Sequence, residues 1–255
     1  MAKVAADRVA RVSLELGGKS PNVVFADADL DRAVQGVLIG MFSAAGQACN
    51  AGSRVLVEAS IHDEFEARLV AEARRIRLGD PLDPNVDMGP IANRAQLEKV
   101  LRYIEIGHQG GARLVTGGHR VTEPAPLEKG FFVEPTLFSA VDNSSQLARE
   151  EVFGPVSALM PFKDEQDAVR VANDSDFGLV AGLWTLDVNR AHRMIGKLRA
   201  GALWVNTYRT GSHALPFGGF KQSGVGREAG IEAVHDYTEE KAVVMDLGNP
   251  ISFFG

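Results

Sequence analysis

The sequence is poor in cysteine, with one in 255 residues. A single thiol excludes any disulfide within the chain and any metal site built on a cysteine cluster, as expected of a protein kept in a reducing cytosol. Long apolar runs are missing as well. No window approaches the ~18 to 20 apolar residues of a spanning helix, and the opening "MAKVAADRVARVSLELGG" has no signal-type apolar core. A cytoplasmic chain without membrane contact is therefore expected. An excess of basic charge is also lacking: 27 Lys and Arg stand against 33 Asp and Glu, for a net charge of -6. With no basic block, nucleic acid is not an expected partner. The six histidines are scattered without ligand spacing, so no metal site is expected.

What remains is an ordinary globular composition, 45% hydrophobic and 24% charged, in a length that fits one large α/β domain or two small ones. From Leu30 the apolar residues fall at Leu30, Ala33, Val34, Val37, Leu38, Met41 and Phe42, the spacing of one helix face, with Asp27 or Asp29 as N-cap. Gly46 and Gln47 interrupt that pattern, and "RVLVEAS" (54–60) reads as a buried strand. The lone Cys49 thus falls in a helix-to-strand connection. Beyond it the pattern predicts helices at 62–77, 91–109, 164–174 and 187–199, and strands at 113–116, 131–138, 155–162, 179–185 and 201–206. A short helix near 226–235 and a last strand in "EEKAVVMDLG" complete it. Strands alternating with helices of this length imply an α/β fold with a mainly parallel sheet covered on both faces.

Four segments carry candidate chemistry. In "FSAAGQACNAGSR" small residues box Cys49, allowing close approach of backbone and substrate, and a backbone N–H beside a thiol can stabilise an oxyanion. The alternative is a small buried hydrophobe. As a poised thiol, Cys49 is expected to react with iodoacetamide faster than a free thiol at neutral pH. In "VSLELGGKSPNVVF" Glu15 stands at the end of an apolar strand, between Leu14 and Leu16 and before a Gly-Gly turn. Burial among leucines would raise its pKa as a general base requires; the alternative is an edge-strand glutamate facing solvent. In "REEVFGPVSAL" a carboxylate can accept ribose hydroxyls and an aromatic can flank a nicotinamide, or the string is a helix end, turn and strand. In "LPFGGFKQSGVGREAG" the loose dinucleotide fingerprint within "GVGREA" fails, because no strand runs into it. That loop reads as one wall of a pocket, with Phe217 contributing apolar surface.

Taken in order, "LELGGKSP", "GQACNAGSR", "EEVFGPV" and "PFGGFKQSGVGRE" closely resemble signature segments of the NAD(P)-dependent aldehyde dehydrogenase superfamily, in its C-terminal, catalytic half. The match runs over essentially the whole chain, and the 34-residue spacing from Glu15 to Cys49 (49 − 15) agrees with the family pattern. The resemblance implies oxidation of a small-molecule aldehyde to a carboxylic acid with NAD or NADP. Cys49 matches the nucleophile that forms a thiohemiacetal, which becomes a thioester as hydride leaves to the nicotinamide. Glu15 matches the base that activates the hydrolytic water, and Glu228 a residue on the proton path to it. Glu151 matches the carboxylate on the nicotinamide ribose, Phe153 the aromatic beside the ring, and Leu16 a backbone contact to the carboxamide. Phe217 matches a wall of the substrate tunnel, and "AVVMDLG" the strand through which family members form homo-oligomers.

Family members carry a further stretch before the "LELGGK" segment that includes most of the cofactor domain. The expected division is 1–20 as the end of the cofactor-domain segment with the base-bearing strand, 21–225 as catalytic domain, and 226–255 as tail with the oligomerisation strand. Without that stretch, cofactor binding is expected to be weak or absent, and the uncovered apolar face to favour self-association. Besides the dehydrogenase reading, two others stand: a cofactor-independent thiol esterase built on Cys49 and Glu15, and a non-catalytic piece that assembles with longer subunits.

Overall fold

A computed structural model describes residues 2–123 and 125–248. The chain runs through α1 (Ala2–Ala6), β1 (Leu14–Glu15), β2 (Pro21–Val24), α2 (Leu30–Phe42), β3 (Arg54–Glu58), α3 (His62–Ala73), α4 (Arg94–Gln109) and β4 (Arg113–Thr116). Then come α5 (Ala125–Glu128), β5 (Thr136–Ser139), α6 (Gln146–Arg149), β6 (Val156–Phe162), α7 (Glu165–Asn173), β7 (Phe177–Gly178) and β8 (Val180–Trp184). The last elements are α8 (Val188–Lys197), β9 (Ala202–Val205), β10 (Phe220–Lys221) and β11 (Gly224–Val225).

Seven strands form the central sheet in the order β4-β5-β6-β3-β2-β8-β9. Every pairing is parallel except that of β4 with β5 at one edge. β2 and β8 are buried at every residue, and β6 everywhere but Pro161. Continuous burial of this kind means both faces are covered, which is the α/β class expected. No described helix is long and apolar enough to cross a membrane.

α2 shows how the sequence sets this packing. Asp29 caps it by accepting from the Arg32 amide at 3.2 Å, and its buried face is Ala33, Val34, Val37, Leu38, Met41 and Phe42. Gly36 and Gly40 let the helix lie directly on the Trp184 and Tyr208 rings, where added Cβ atoms would fall 2.1 and 2.7 Å from ring carbons.

Three expectations are corrected. The strand predicted over 131–138 is confined to Thr136–Ser139, because Pro135 has no N–H and the Glu134 amide turns to the His119 carbonyl. The long strand near Glu15 lies after the glycines, at Pro21–Val24, while Glu15 itself ends a two-residue strand paired with β11. Residues 242–248 form no strand, and a 3₁₀ helix spans Ile231–Asp236.

Candidate active site

The loop bearing Cys49 begins where α2 breaks. Ala44 and Ala45, both at φ 54°, and Gly46 at φ 67° follow one another in the left-handed region. For the two alanines this costs roughly 1–2 kcal/mol each, so neighbouring contacts must hold the turn. Gly46 lies against the next loop so closely that a Cβ would sit 2.3 Å from the Gly154 carbonyl oxygen. Gln47 pins the other side: its Nε2 donates to the carbonyls of Ala44 (3.2 Å) and Pro90 (3.4 Å), and its Oε1 accepts from the Ala92 amide at 2.8 Å. Cys49 then sits half-buried in a turn closed by the Ala51 amide on the Ala48 carbonyl at 3.0 Å.

Glu15 reaches this loop through the glycine pair that follows it. Gly18 is packed so tightly that a Cβ would lie 2.5 Å from the Cys49 carbonyl oxygen. The strand of Glu15 is held by β11 and by the Leu16 amide on the Ser223 carbonyl at 3.0 Å. Both Glu15 carboxyl oxygens are buried with no donor in hydrogen-bonding geometry. Burial raises the pKa, and the Glu228 carboxylate raises it further, against the opposing pull of Arg227 and the Gly219 amide. The burial does not come from flanking leucines, since Leu16 is 46% exposed. It comes from the 218–228 segment, where a Cβ on Gly218 would lie 3.0 Å from Glu15 Oε1.

The Glu151 loop closes the third side. Glu151 Oε1 accepts from the Gly18 amide at 3.1 Å, and Phe153 adopts φ 57°. Gln96, in the first turn of the Asn93-capped α4, fixes the loop by donating to the carbonyls of Val152 (2.9 Å) and Phe153 (2.7 Å). Beneath it Lys19 is buried with Nζ lacking any acceptor. Burial and the neighbouring Arg54 charge push its pKa down to about 7, against the opposing field of Glu151.

Cys49 feels both carboxylates. Its thiol pKa is raised, first by burial and then by the charges of Glu15 and Glu151, while the amides of Asn50 and of Cys49 itself pull it down. These effects run against a thiol more reactive than free cysteine at neutral pH, because desolvation disfavours the thiolate until a base takes the proton.

Cys49, Glu15, Glu151 and Glu228 are therefore linked by their charges, with Leu16 directly after Glu15 and Phe153 two residues beyond Glu151 on its loop. Phe217, bridged to Glu228, lines a cavity of about 540 Å³ together with Trp204 and Arg209. Phe217 and Glu228 exchange backbone hydrogen bonds of 2.7 Å. The Trp204 ring lies 4.8 Å, centroid to centroid, from that of Tyr208, whose hydroxyl donates to the Asn50 carbonyl at 3.1 Å. Among the described residues no group of three His, Cys, Asp or Glu side chains could hold a metal ion. Gln47, Lys19, Tyr208 and Arg209 were not singled out by sequence. Gln47 alone carried a signal, as the polar residue amid the small ones before Cys49.

The sequence profile of the aldehyde dehydrogenase family matches residues 1–243. Betaine aldehyde dehydrogenase of Brucella anthropi is 47% identical over 244 residues, which cover 96% of this chain and 50% of that protein. Betaine aldehyde dehydrogenase of Cereibacter sphaeroides is 50% identical over the same shares of each. A crystal structure of betaine aldehyde dehydrogenase from Staphylococcus aureus, in complex with NAD+ and with a BME-modified cysteine, superposes with a TM-score of 0.95 at 38% identity, covering 100% of this chain and 52% of that one. The NAD-dependent aldehyde dehydrogenase from Sinorhizobium meliloti gives 0.94 at 41% identity, covering 100% and 50%. The chain spans about half the length of the curated relatives it matches.

Proposed function

The chain belongs to the aldehyde dehydrogenase family, and from that premise we propose that it carries the catalytic machinery of an NAD(P)-dependent oxidation of an aldehyde to a carboxylic acid, with Cys49 as nucleophile and Glu15 as base. The observation that carries this reading is the contact of Gly18 with the Cys49 carbonyl, which sets the Glu15 strand against the thiol loop, and the Glu15 charge is felt at the Cys49 thiol.

On this reading the Cys49 thiol gives its proton to Glu15 and attacks the carbonyl carbon, and the Cys49 amide donates to the oxyanion of the thiohemiacetal. Glu15 later takes a proton from the water that hydrolyses the thioester. Its raised pKa makes it a stronger base than an exposed glutamate, and Glu228 supports this electrostatically from the next link of a proton path.

The residues fit the nicotinamide end of a dinucleotide. Glu151 is anchored by one oxygen on the Gly18 amide, and its Oε2 has no donor among the described residues. The bare turn leaves this carboxylate so close that a Cβ on Gly17 would meet Oε2 at 2.3 Å. Glu151 would hold ribose hydroxyls, Phe153 would flank the ring, and the Leu16 backbone would meet the carboxamide. When bound, the nicotinamide would supply the hydride acceptor that turns thiohemiacetal into thioester. The NAD+ complex of the relative from S. aureus favours NAD.

The division at residues 20 and 225, and a cytosolic setting consistent with one unpaired cysteine, belong to the same reading. So does a homo-oligomer formed through the tail. Val243, Val244, Met245 and Leu247 are all exposed, Val244 at 97%, and an apolar run of this kind supports pairing with a second copy.

The test is acylation of the chain by p-nitrophenyl acetate, followed by intact-mass spectrometry. Acetyl should appear once, vanish in Cys49→Ala, and persist in Glu15→Gln with a lifetime longer by on the order of a hundredfold or more. Equal lifetimes in wild type and Glu15→Gln would remove Glu15 as base, and an unacylated wild type would remove Cys49 as nucleophile.

A further inference from the structure

The proposed chemistry leaves Arg209, on the cavity that Phe217 lines, without a task. After β9 the chain turns twice through the left-handed region, at Asn206 (φ 54°) and Arg209 (φ 57°). Between these turns Tyr208 is driven inward against Gly40, Gly52 and Gly182, and its hydroxyl bonds the residue after Cys49. Arg209 instead lines the 540 Å³ cavity together with Trp204, Phe217, Thr210, Ser212 and His213.

Two observations make this arginine unusual. Its Nη1 is buried without an acceptor, and the guanidinium makes no hydrogen bond or ion pair among the described residues. Nor does the lining of the cavity contain any Asp or Glu. The nearest acid in sequence, Glu228, turns its charge on Glu15. A guanidinium nitrogen removed from water without an acceptor is expensive, and an arginine fork matches a carboxylate with two parallel hydrogen bonds. The apolar walls, Phe217 and Trp204, suit an alkyl spacer between two polar ends.

Resting on the reading of Cys49 as nucleophile, we propose that Arg209 determines substrate class by receiving the far carboxylate of an ω-carboxy aldehyde, whose aldehyde end points to Cys49. A trimethylammonium aldehyde, the class named for the betaine aldehyde dehydrogenase relatives, would meet an unneutralised positive charge there.

Charged probes of the only thiol in the chain test this without requiring turnover. Rates of Cys49 modification are measured with 2-carboxyethyl methanethiosulfonate and with 2-(trimethylammonium)ethyl methanethiosulfonate, each normalised to the neutral methyl reagent. Glu15 and Glu151 bias the thiol against anions in every variant, so comparison between variants isolates Arg209. The carboxyethyl-to-trimethylammonium ratio should fall by about tenfold or more in Arg209→Gln, as expected for loss of one charge across a partly desolvated pocket. Arg209→Lys, which keeps the charge and guards against misfolding of the first variant, should retain most of the preference. An unchanged ratio in Arg209→Gln overturns the proposal and leaves the reading of Cys49 intact. A ratio that rises in Arg209→Gln overturns it in favour of a cationic aldehyde. Failure of the neutral reagent to label wild-type Cys49 overturns the reading of Cys49, and this inference with it.

Discussion

Replacing Gly18 by alanine tests the contact on which the site depends. An ideal Cβ there would sit 2.5 Å from the carbonyl oxygen of Cys49, with Ser20 Oγ at 3.3 Å and Leu179 Cβ at 3.4 Å. The nearest atom is backbone and cannot swing aside. Restoring an ordinary contact of 3.4 Å requires the two loops to part by 0.9 Å (3.4 − 2.5). Gly18 is not among the residues of positive φ, so alanine is conformationally permitted and the cost is steric. Overpacking of this kind costs about 1–3 kcal/mol, which for a chain of this size lowers the melting temperature by roughly 2–10 °C. A displacement near 1 Å between reacting groups costs on the order of a hundredfold in rate, so acylation of Cys49 by p-nitrophenyl acetate should fall by about that factor. Gly196→Ala is the matched control: it lies in α8 with nothing within 4 Å of its added Cβ, and the helix should gain about 0.8–1 kcal/mol. Calorimetric melting and the acylation rate are measured on both. A Gly18→Ala chain that melts with wild type and acylates at the wild-type rate would refute the contact and the geometry built on it.

The remaining predictions concern charge and backbone. Because burial and two carboxylates raise the Cys49 pKa, alkylation by iodoacetamide should be slower than that of free cysteine at neutral pH and climb through the alkaline range. Glu15→Gln removes one of those charges and should shift the curve to lower pH; a curve unmoved by this change would show that the two groups do not interact. Lys19 titrates at about 7 in the fold against an ordinary 10.5, so between those values the unfolded chain binds more protons and wild-type stability rises with pH. Lys19→Met lacks that dependence; in urea titrations it should be more stable than wild type at pH 7, with the advantage shrinking towards pH 10.

Much of the frame is legible in the sequence because it rests on local rules. α2 announces itself by the spacing of its apolar residues and by Asp29, and the segments around Glu15, Cys49 and Glu151 carry their glycines where loops must touch. The less legible features depend on residues distant in sequence. Pro21 opens β2 after two glycines and disguises a central strand as a turn. Ala44 and Ala45 give no sign of left-handed backbone, since nothing in alanine prefers it; Gly154 and Gln47 impose it from elsewhere. Arg209 reads as one polar residue in a polar loop until Trp204 and Phe217 are brought around it. The tail is a different case, because its apolar residues lie exposed among the described residues and their proposed pairing needs a second copy.

The carboxylates around Cys49 work against the chemistry proposed for it, since both raise the thiol pKa. The opposition fades once the thiol and Glu15 are treated as a coupled pair. While Glu15 is ionised, its charge and the burial of the sulfur keep Cys49 protonated and unreactive. Movement of the thiol proton to Glu15 creates the thiolate and removes the repulsion in one step. Burial and the Glu228 charge, which raise the Glu15 pKa, make that transfer less uphill than it would be to an exposed glutamate. The Asn50 and Cys49 amides, which favour the thiolate, lower its cost further. On the proposed reading, the same raised pKa would help Glu15 draw a proton from the water that hydrolyses the thioester. Replacing Glu228 by glutamine should therefore weaken the base in both steps and shift the acid limb of acyl-adduct hydrolysis to lower pH, because Glu15 would lose the neighbouring charge that helps it hold a proton. An acid limb that stays in place would mean that burial alone sets the pKa of Glu15.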